Sequence, residues 1–195
     1  MTKQVLNPDR IVKATIELIE ADAPITFANV ARHLDIKSQA LYPYFADQQA
    51  LRYAVMASLL TQLNEAIRRD LFGKSGRDAV MQIALTCRQL GIDHPQLARF
   101  ITTLPRVEQD DAALSEAFNE LYTMMTTLVG QLVRNERVQL LGSRFIRNII
   151  IGEVTNIASG WFANPDLTRT DSFVWMINHG IDDLVAEDQK TASSH

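Results

Sequence analysis

The chain holds a single cysteine, Cys87, in 195 residues, which excludes an internal disulfide and a cysteine-built zinc site. No uninterrupted apolar run approaches the roughly 20 residues that a membrane-spanning helix requires. The opening stretch, Met1 to Pro8, carries no apolar segment of the secretory kind, so a cytoplasmic protein with no membrane partner is expected. The four histidines, His33, His94, His179 and His195, are scattered without metal-ligand spacing. A phosphate-cradling glycine loop and a nucleophile motif are missing too, so neither a cofactor nor an enzymatic activity is expected. The alternation of apolar and polar residues that marks strands is also lacking, as is any internal repeat.

Apolar and helical periodicity is what the chain does have. Apolar residues make up 47% and charged residues 22%, a balance that buries a core and argues against disorder. Pro8 and Asp9 open a first helix through Ile11, Ala14, Thr15, Leu18 and Ile19, stopped by Pro24. Thr26 caps a short second helix, Phe27 to His33, because its hydroxyl accepts from free amides two or three residues on. Asp35 marks a break, and a third helix is expected from Ser38 through Phe45. Asp47 then caps a long helix whose apolar positions Leu51, Val55, Leu59, Leu63 and Ile67 step by four.

Phe72-Gly73-Lys74-Ser75-Gly76 forms a boundary with little to pack. Further helices follow at Val80–Leu90, at Leu97–Ile101, and along the stripe Leu114, Phe118, Leu121, Met125, Leu128, Leu132. The next spans Phe145 to Gly160, closed by Asn164-Pro165-Asp166. The last carries Phe173, Ile177, Gly180, Ile181 and Leu184, with a frayed tail after Glu187. The expected fold is all-α, with about nine helices in three parts: a head at 1–46, a linking helix at 47–72, and a body at 73–195.

The net charge of −4 is unevenly spread. Residues 1–69 contain eight Lys and Arg against seven Asp and Glu, leaving +1 there and −5 in the remainder. The lean toward a basic N-terminal part is slight, so phosphate neutralisation gives only modest non-specific affinity for nucleic acid.

Within the head, Val30, Leu34, Ile36 and Leu41 are placed to form a small common core, with Ala31 letting the two short helices approach. Such a unit presents the start of its second helix outward, in a form that fits the major groove, about 12 Å wide. The order Thr26…Val30-Ala31…Ile36…Ala40-Leu41-Tyr42-x-Tyr44-Phe45, followed by Ala50-Leu51, resembles the helix-turn-helix of the TetR family of bacterial transcription regulators. The resemblance covers about the first 60 residues. It implies a DNA-reading head on a double-stranded operator, a ligand-binding body for a small-molecule effector, and a homodimer formed by the last two helices.

Carried over by position, Thr26 matches a phosphate contact, and Tyr42 and Tyr44 match positions that meet the sugar-phosphate backbone. Ser38, Gln39, Ala40 and Pro43 fall where bases are read. Gln39 is the best reader, because its amide pairs bidentately with adenine. Lys37 stands where the family has a Ser or Thr cap, and Arg32 lies within reach of base or backbone. Three departures matter. Asp35 occupies a turn position where glycine is usual, Gln48 replaces a lysine that meets phosphate, and Pro43 inside the recognition helix must fit a short helix's edge.

In the body, the end Gly152…Ser159-Gly160-Trp161-Phe162…Pro165…Ser172-Phe173 is similar to one C-terminal subtype of that family, named for a Trp-His-Gly triplet of which Gly152 alone is kept. The implied dimer face comprises Ile149, Gly152, Asn156, Gly160, Phe173, Ile177, Ile181 and Leu184. Polarizable and aromatic residues line adaptable pockets, which nominates Met81, Cys87, Phe100, Phe118, Tyr122, Met125 and Phe145 for an effector site. Glu153 joins them as a polar residue on an apolar helix, placed to pair with Arg88 or Arg147 or to meet a cationic ligand group. Cys87 is expected to be buried and inert, and His94 to cap a helix end. The expected function is an operator-bound repressor released by its effector. The near-neutral head and Gln48 leave open a second reading, a dimeric helical scaffold for a protein partner with DNA binding weak or lost.

Overall fold

The computed structural model describes residues 5–103, 111–162 and 166–193. These form eight α-helices and one 3-10 turn, with no strand among them: α1 (Pro8–Glu20), α2 (Phe27–His33), the turn Ser38–Ala40, α3 (Gln48–Asp70), α4 (Gly76–Asp93), α5 (Pro95–Thr103), α6 (Ala112–Gly130), α7 (Glu136–Ala158) and α8 (Arg169–Ser193). Among the described residues no helix is long and apolar enough to cross a membrane, and no cluster of His, Cys, Asp and Glu is arranged to hold a metal ion.

Helix starts follow local chemistry. Asn7 accepts from the Arg10 amide at 2.8 Å ahead of Pro8, Thr26 accepts from the Asn29 amide at 3.1 Å, and Asp47 accepts from the Ala50 amide at 2.8 Å, each side chain satisfying a backbone donor left free at a helix start. Helix ends follow a second rule. α1, α2 and α7 each close through a residue in the left-handed region, namely Asp22 (φ 53°), Asp35 (φ 55°) and Gly160 (φ 80°). The amides of Ala23, Ile36 and Trp161 then reach back to Leu18, Ala31 and Asn156 at 2.9 Å in each case. This is the paired-bond ending that caps helix carbonyls.

Three expectations change. The segment Ser38 to Phe45 is not an α-helix, for the reason given below. α7 ends at Ala158 on the Gly160 turn, ahead of the proposed stop, of which Asn164 and Pro165 lie outside the described residues. α8 continues past Glu187 to Ser193, with Thr191 and Ser193 hydroxyls donating to carbonyls four residues back.

The chain forms two compact units, Met1–Gln62 with His94–Phe118, and Leu63–Asp93 with Asn119–His195. α3 contributes to both units, and α5 falls in the first unit, where it packs on α1.

In the second unit, Ile67, Val80, Ile83, Val129, Val138, Ile146, Phe173, Ile177 and Ile181 form one buried apolar core. α4 and α7 approach closely at Gly91, where an added Cβ would lie 2.7 Å from Val154 Cγ2. α7 and α8 pair as a hairpin. At one end Asp188 accepts from the amides of Asn135 (2.7 Å) and Arg134 (3.0 Å). These backbone donors hold its carboxyl below the usual carboxylate range, so the tie is complete at neutral pH and is lost only as acid titrates that lowered group.

Candidate nucleic-acid interface

The first unit builds an exposed edge on a buried anchor. Val30 and Leu41 are fully buried (0%), Ala31, Phe27, Ile25 and Phe45 are also buried, and Leu34 and Ile36 are half-covered. α2 ends at His33, and Asp35 turns the chain in the left-handed region. A side chain there costs backbone energy that glycine avoids, although Asp tolerates it better than most. Asp35→Gly is therefore expected to stabilise the first unit by about 1 kcal/mol, read as a higher denaturation midpoint.

From Lys37 onward the chain forms successive tight turns: Ala40 N–H to Lys37 O at 2.9 Å, Leu41 to Ser38 at 3.1 Å, Tyr44 to Leu41 at 3.0 Å and Phe45 to Leu41 at 3.1 Å. Pro43 prevents the expected α-helix. Its ring would strike the Gln39 carbonyl, it has no N–H to donate, and it biases Tyr42 away from helical geometry.

This geometry sorts the candidate contacts. Gln39, Tyr42, Pro43, Tyr44 and Lys37 are exposed, whereas Ser38 and Ala40 are half-covered. The Tyr42 ring stands edge-on to Phe27, centroids 5.0 Å apart and planes at 78°, and is 58% exposed. The Tyr44 hydroxyl donates to the Leu6 carbonyl at 2.8 Å, so that proton ties the N-terminal segment to the turn. The Thr26 hydroxyl caps α2 as an acceptor and keeps its own proton to donate. Arg32 donates to Asn29 Oδ1 at 3.0 Å while its helix position remains exposed. Gln48 is exposed at the first position of α3.

The proposed effector residues fare differently. Met125 is buried, and Met81 and Cys87 pack against the second unit's core. Burial pushes the Cys87 thiol up to about 12, so it stays protonated and unreactive at neutral pH. Tyr122 and Phe145 are exposed, with one edge of the Phe145 ring against Gly180 of α8. Phe100 and Phe118 belong to the first unit. Glu153 is buried and paired with Arg88, Oε1 to Nε at 3.0 Å, and Arg147 is exposed elsewhere on α7.

The proposed dimer face also divides. Phe173, Ile177 and Ile181 are buried in the protomer's own core and are not available to a partner, because that apolar stripe of α8 is covered by α7 and α4. Leu184 lies half-covered over Gly142. Ile149, Gly152 and Asn156 are half-covered and Gly160 is exposed. An added Cβ at Gly152 would meet nothing within 4 Å. Sequence reasoning missed the apolar residues that lie outside on this hairpin: Leu141 on α7, and Trp175 on α8, whose ring stacks on His179 at 3.9 Å.

No family model matches the sequence, and no curated protein does. The fold has many solved counterparts. A TetR transcriptional regulator of Streptomyces coelicolor, SCO7222, is 19% identical over 94% of this chain and 100% of its own, with a TM-score of 0.72. BioQ of Mycobacterium smegmatis is 17% identical, covering 93% and 99%, with a TM-score of 0.69. A TetR variant from Acinetobacter baumannii, solved with minocycline, is 20% identical, covering 96% and 98%, with a TM-score of 0.64. The chain has the fold of these proteins.

Proposed function

We propose that this chain is a DNA-binding transcription regulator of the TetR family, acting as a homodimer on a palindromic operator, as a repressor that a small-molecule effector releases. The observation that carries the reading is the edge Gln39–Tyr44: side chains able to meet bases and phosphates stand outside, directly over the fully buried Leu41. Gln39 reads a base edge. Tyr42, Thr26 and Lys37 meet phosphate, their reach fixed by the Phe27 contact, the α2 cap and the turn. Ser38, Ala40 and Pro43 shape the edge, and Arg32 and Gln48 flank it. Fluorescence anisotropy with DNA from upstream of the protein's own coding sequence tests this reading. Saturable binding at 50 mM salt that weakens with added salt is expected, and absence of binding at that salt ends it.

A two-fold dimer presents two such edges to half-sites about one helical turn apart. The α7–α8 hairpin supplies the surface, with Leu141, Phe145 and Trp175 outside and open space over Gly152. Leu141→Arg is expected to convert the dimer to monomer in light scattering with helicity unchanged. A dimer that persists removes this face from the interface.

A further inference from the structure

The edge Gln39–Tyr44 lacks the continuous ladder of bonds that stiffens an α-helix. Its turns are short, and Pro43 stops them from extending. A segment without that ladder depends on side chains to keep its shape. Leu41 and Phe45 hold it from beneath, both buried. From outside, two aromatic side chains tie it to other parts of the same unit. The Tyr42 ring stands against Phe27 of α2. The Tyr44 hydroxyl donates to the Leu6 carbonyl at 2.8 Å, across 38 positions of sequence. Leu6 is itself next to a fixed point. Asn7 caps α1 through its side chain and accepts the Ile11 amide through its carbonyl at 3.2 Å, and Ile11 is fully buried.

The direction of the Tyr44 bond decides what that side chain can do for DNA. A phenol carries one proton, and here a carbonyl takes it. The oxygen then offers only lone pairs, and an ionised phosphate offers only lone pairs, so the two have no bond to make. We propose that Tyr44 is a positioning residue rather than a phosphate contact. Its tie to Leu6 fixes the far end of the edge, and thereby the aim of Gln39 toward the bases. An edge held in its binding shape before it meets DNA loses less freedom on binding. The gain falls on base reading, because contacts to base edges carry the sequence information and phosphate contacts do not. The role rests on the DNA-binding reading for its effect on recognition, whereas the tie itself does not.

Tyr44→Phe in the full-length protein tests it, since only the hydroxyl is lost, from a residue 38% exposed. Anisotropy is measured at 50 mM salt on the upstream DNA and on a scrambled duplex of equal length and composition. Affinity for the upstream DNA is expected to fall about three- to tenfold, with affinity for the scrambled duplex and helicity unchanged. In the free protein, hydrogen exchange of amides 44 and 45 is expected to quicken. Equal losses on the two duplexes overturn the assignment, because a lost phosphate contact weakens all sequences alike. Unchanged affinity for the upstream DNA overturns it too, and so does unchanged exchange, whatever the DNA result. Should wild type bind neither duplex while exchange quickens in the variant, the tie stands and the regulator reading fails.

Discussion

Arg88→Met is expected to destabilise the second unit by about 3–5 kcal/mol, because it strands the Glu153 carboxylate in a site only 3% exposed. Arg88 satisfies one oxygen of that carboxylate through Nε, while Oε2 has no hydrogen-bond partner among the described residues. The guanidinium in turn rests 5.3 Å from the Phe173 ring centroid, where the ring's negative face adds attraction. With the cation gone, the Glu153 carboxylate stays buried without a compensating charge, which is costly. Removing both charges tells a different story. Arg88→Met with Glu153→Leu is expected to recover most of the loss, since apolar replacement of a buried pair is often neutral or stabilising. Urea denaturation at fixed protein concentration separates the two, the concentration being held because the proposed dimerisation would shift apparent stability. A single variant within 1 kcal/mol of wild type would mean that water reaches the carboxylate.

The second large effect is on recognition. Tyr42→Ala is expected to weaken binding to the upstream DNA by about 10- to 100-fold while leaving helicity unchanged. A hydrogen bond to a charged group is worth about 1.5–3 kcal/mol, and each 1.4 kcal/mol is about tenfold in affinity. The ring is 58% exposed, so its removal opens no cavity, and Leu41 and Phe45 continue to anchor the turn. Tyr42→Phe divides the effect: it keeps the edge contact with Phe27 and removes only the hydroxyl. If the phosphate contact dominates, Phe behaves like Ala, and if ring packing dominates, Phe behaves like wild type. Unchanged binding by both variants takes Tyr42 out of the interface.

What the sequence made legible was mostly local. Pro8-Asp9, Thr26 and Asp47 announce helix starts because such signals act within three residues, and the structure has all three starts, the first with an added cap from Asn7. The stripe from Leu114 to Leu132 reads as a helix because its period is unambiguous, and α6 runs through most of it. Phe173, Ile177 and Ile181 show the limit of periodicity. Their spacing states that one face of α8 is apolar, but not whether a neighbouring helix or a second subunit covers it. Glu153 is similar. Its oddity was visible, but choosing Arg88 over Arg147 required knowing how α4 meets α7, across 65 positions. The pairs at the end of α1, Glu20 with His94 and Asp22 with Arg99, join residues 74 and 77 apart, and no pattern along the chain links them. Pro43 was in plain view, and the rule that it breaks a helix outweighed the family pattern of a helix at that place.

On the proposed DNA-binding reading, that proline limits how much sequence a single subunit could discriminate. An α-helix in a groove lengthens its reach one turn at a time, whereas the segment after Lys37 holds a single 3-10 turn, Ser38–Ala40. With Gln39 as its base-reading side chain, each proposed half-site would be short in information, and so ambiguous in a genome when met alone. Selectivity would then fall to the distance between two such short words, so that the spacing of paired subunits, more than any one amino acid, would distinguish one promoter from another.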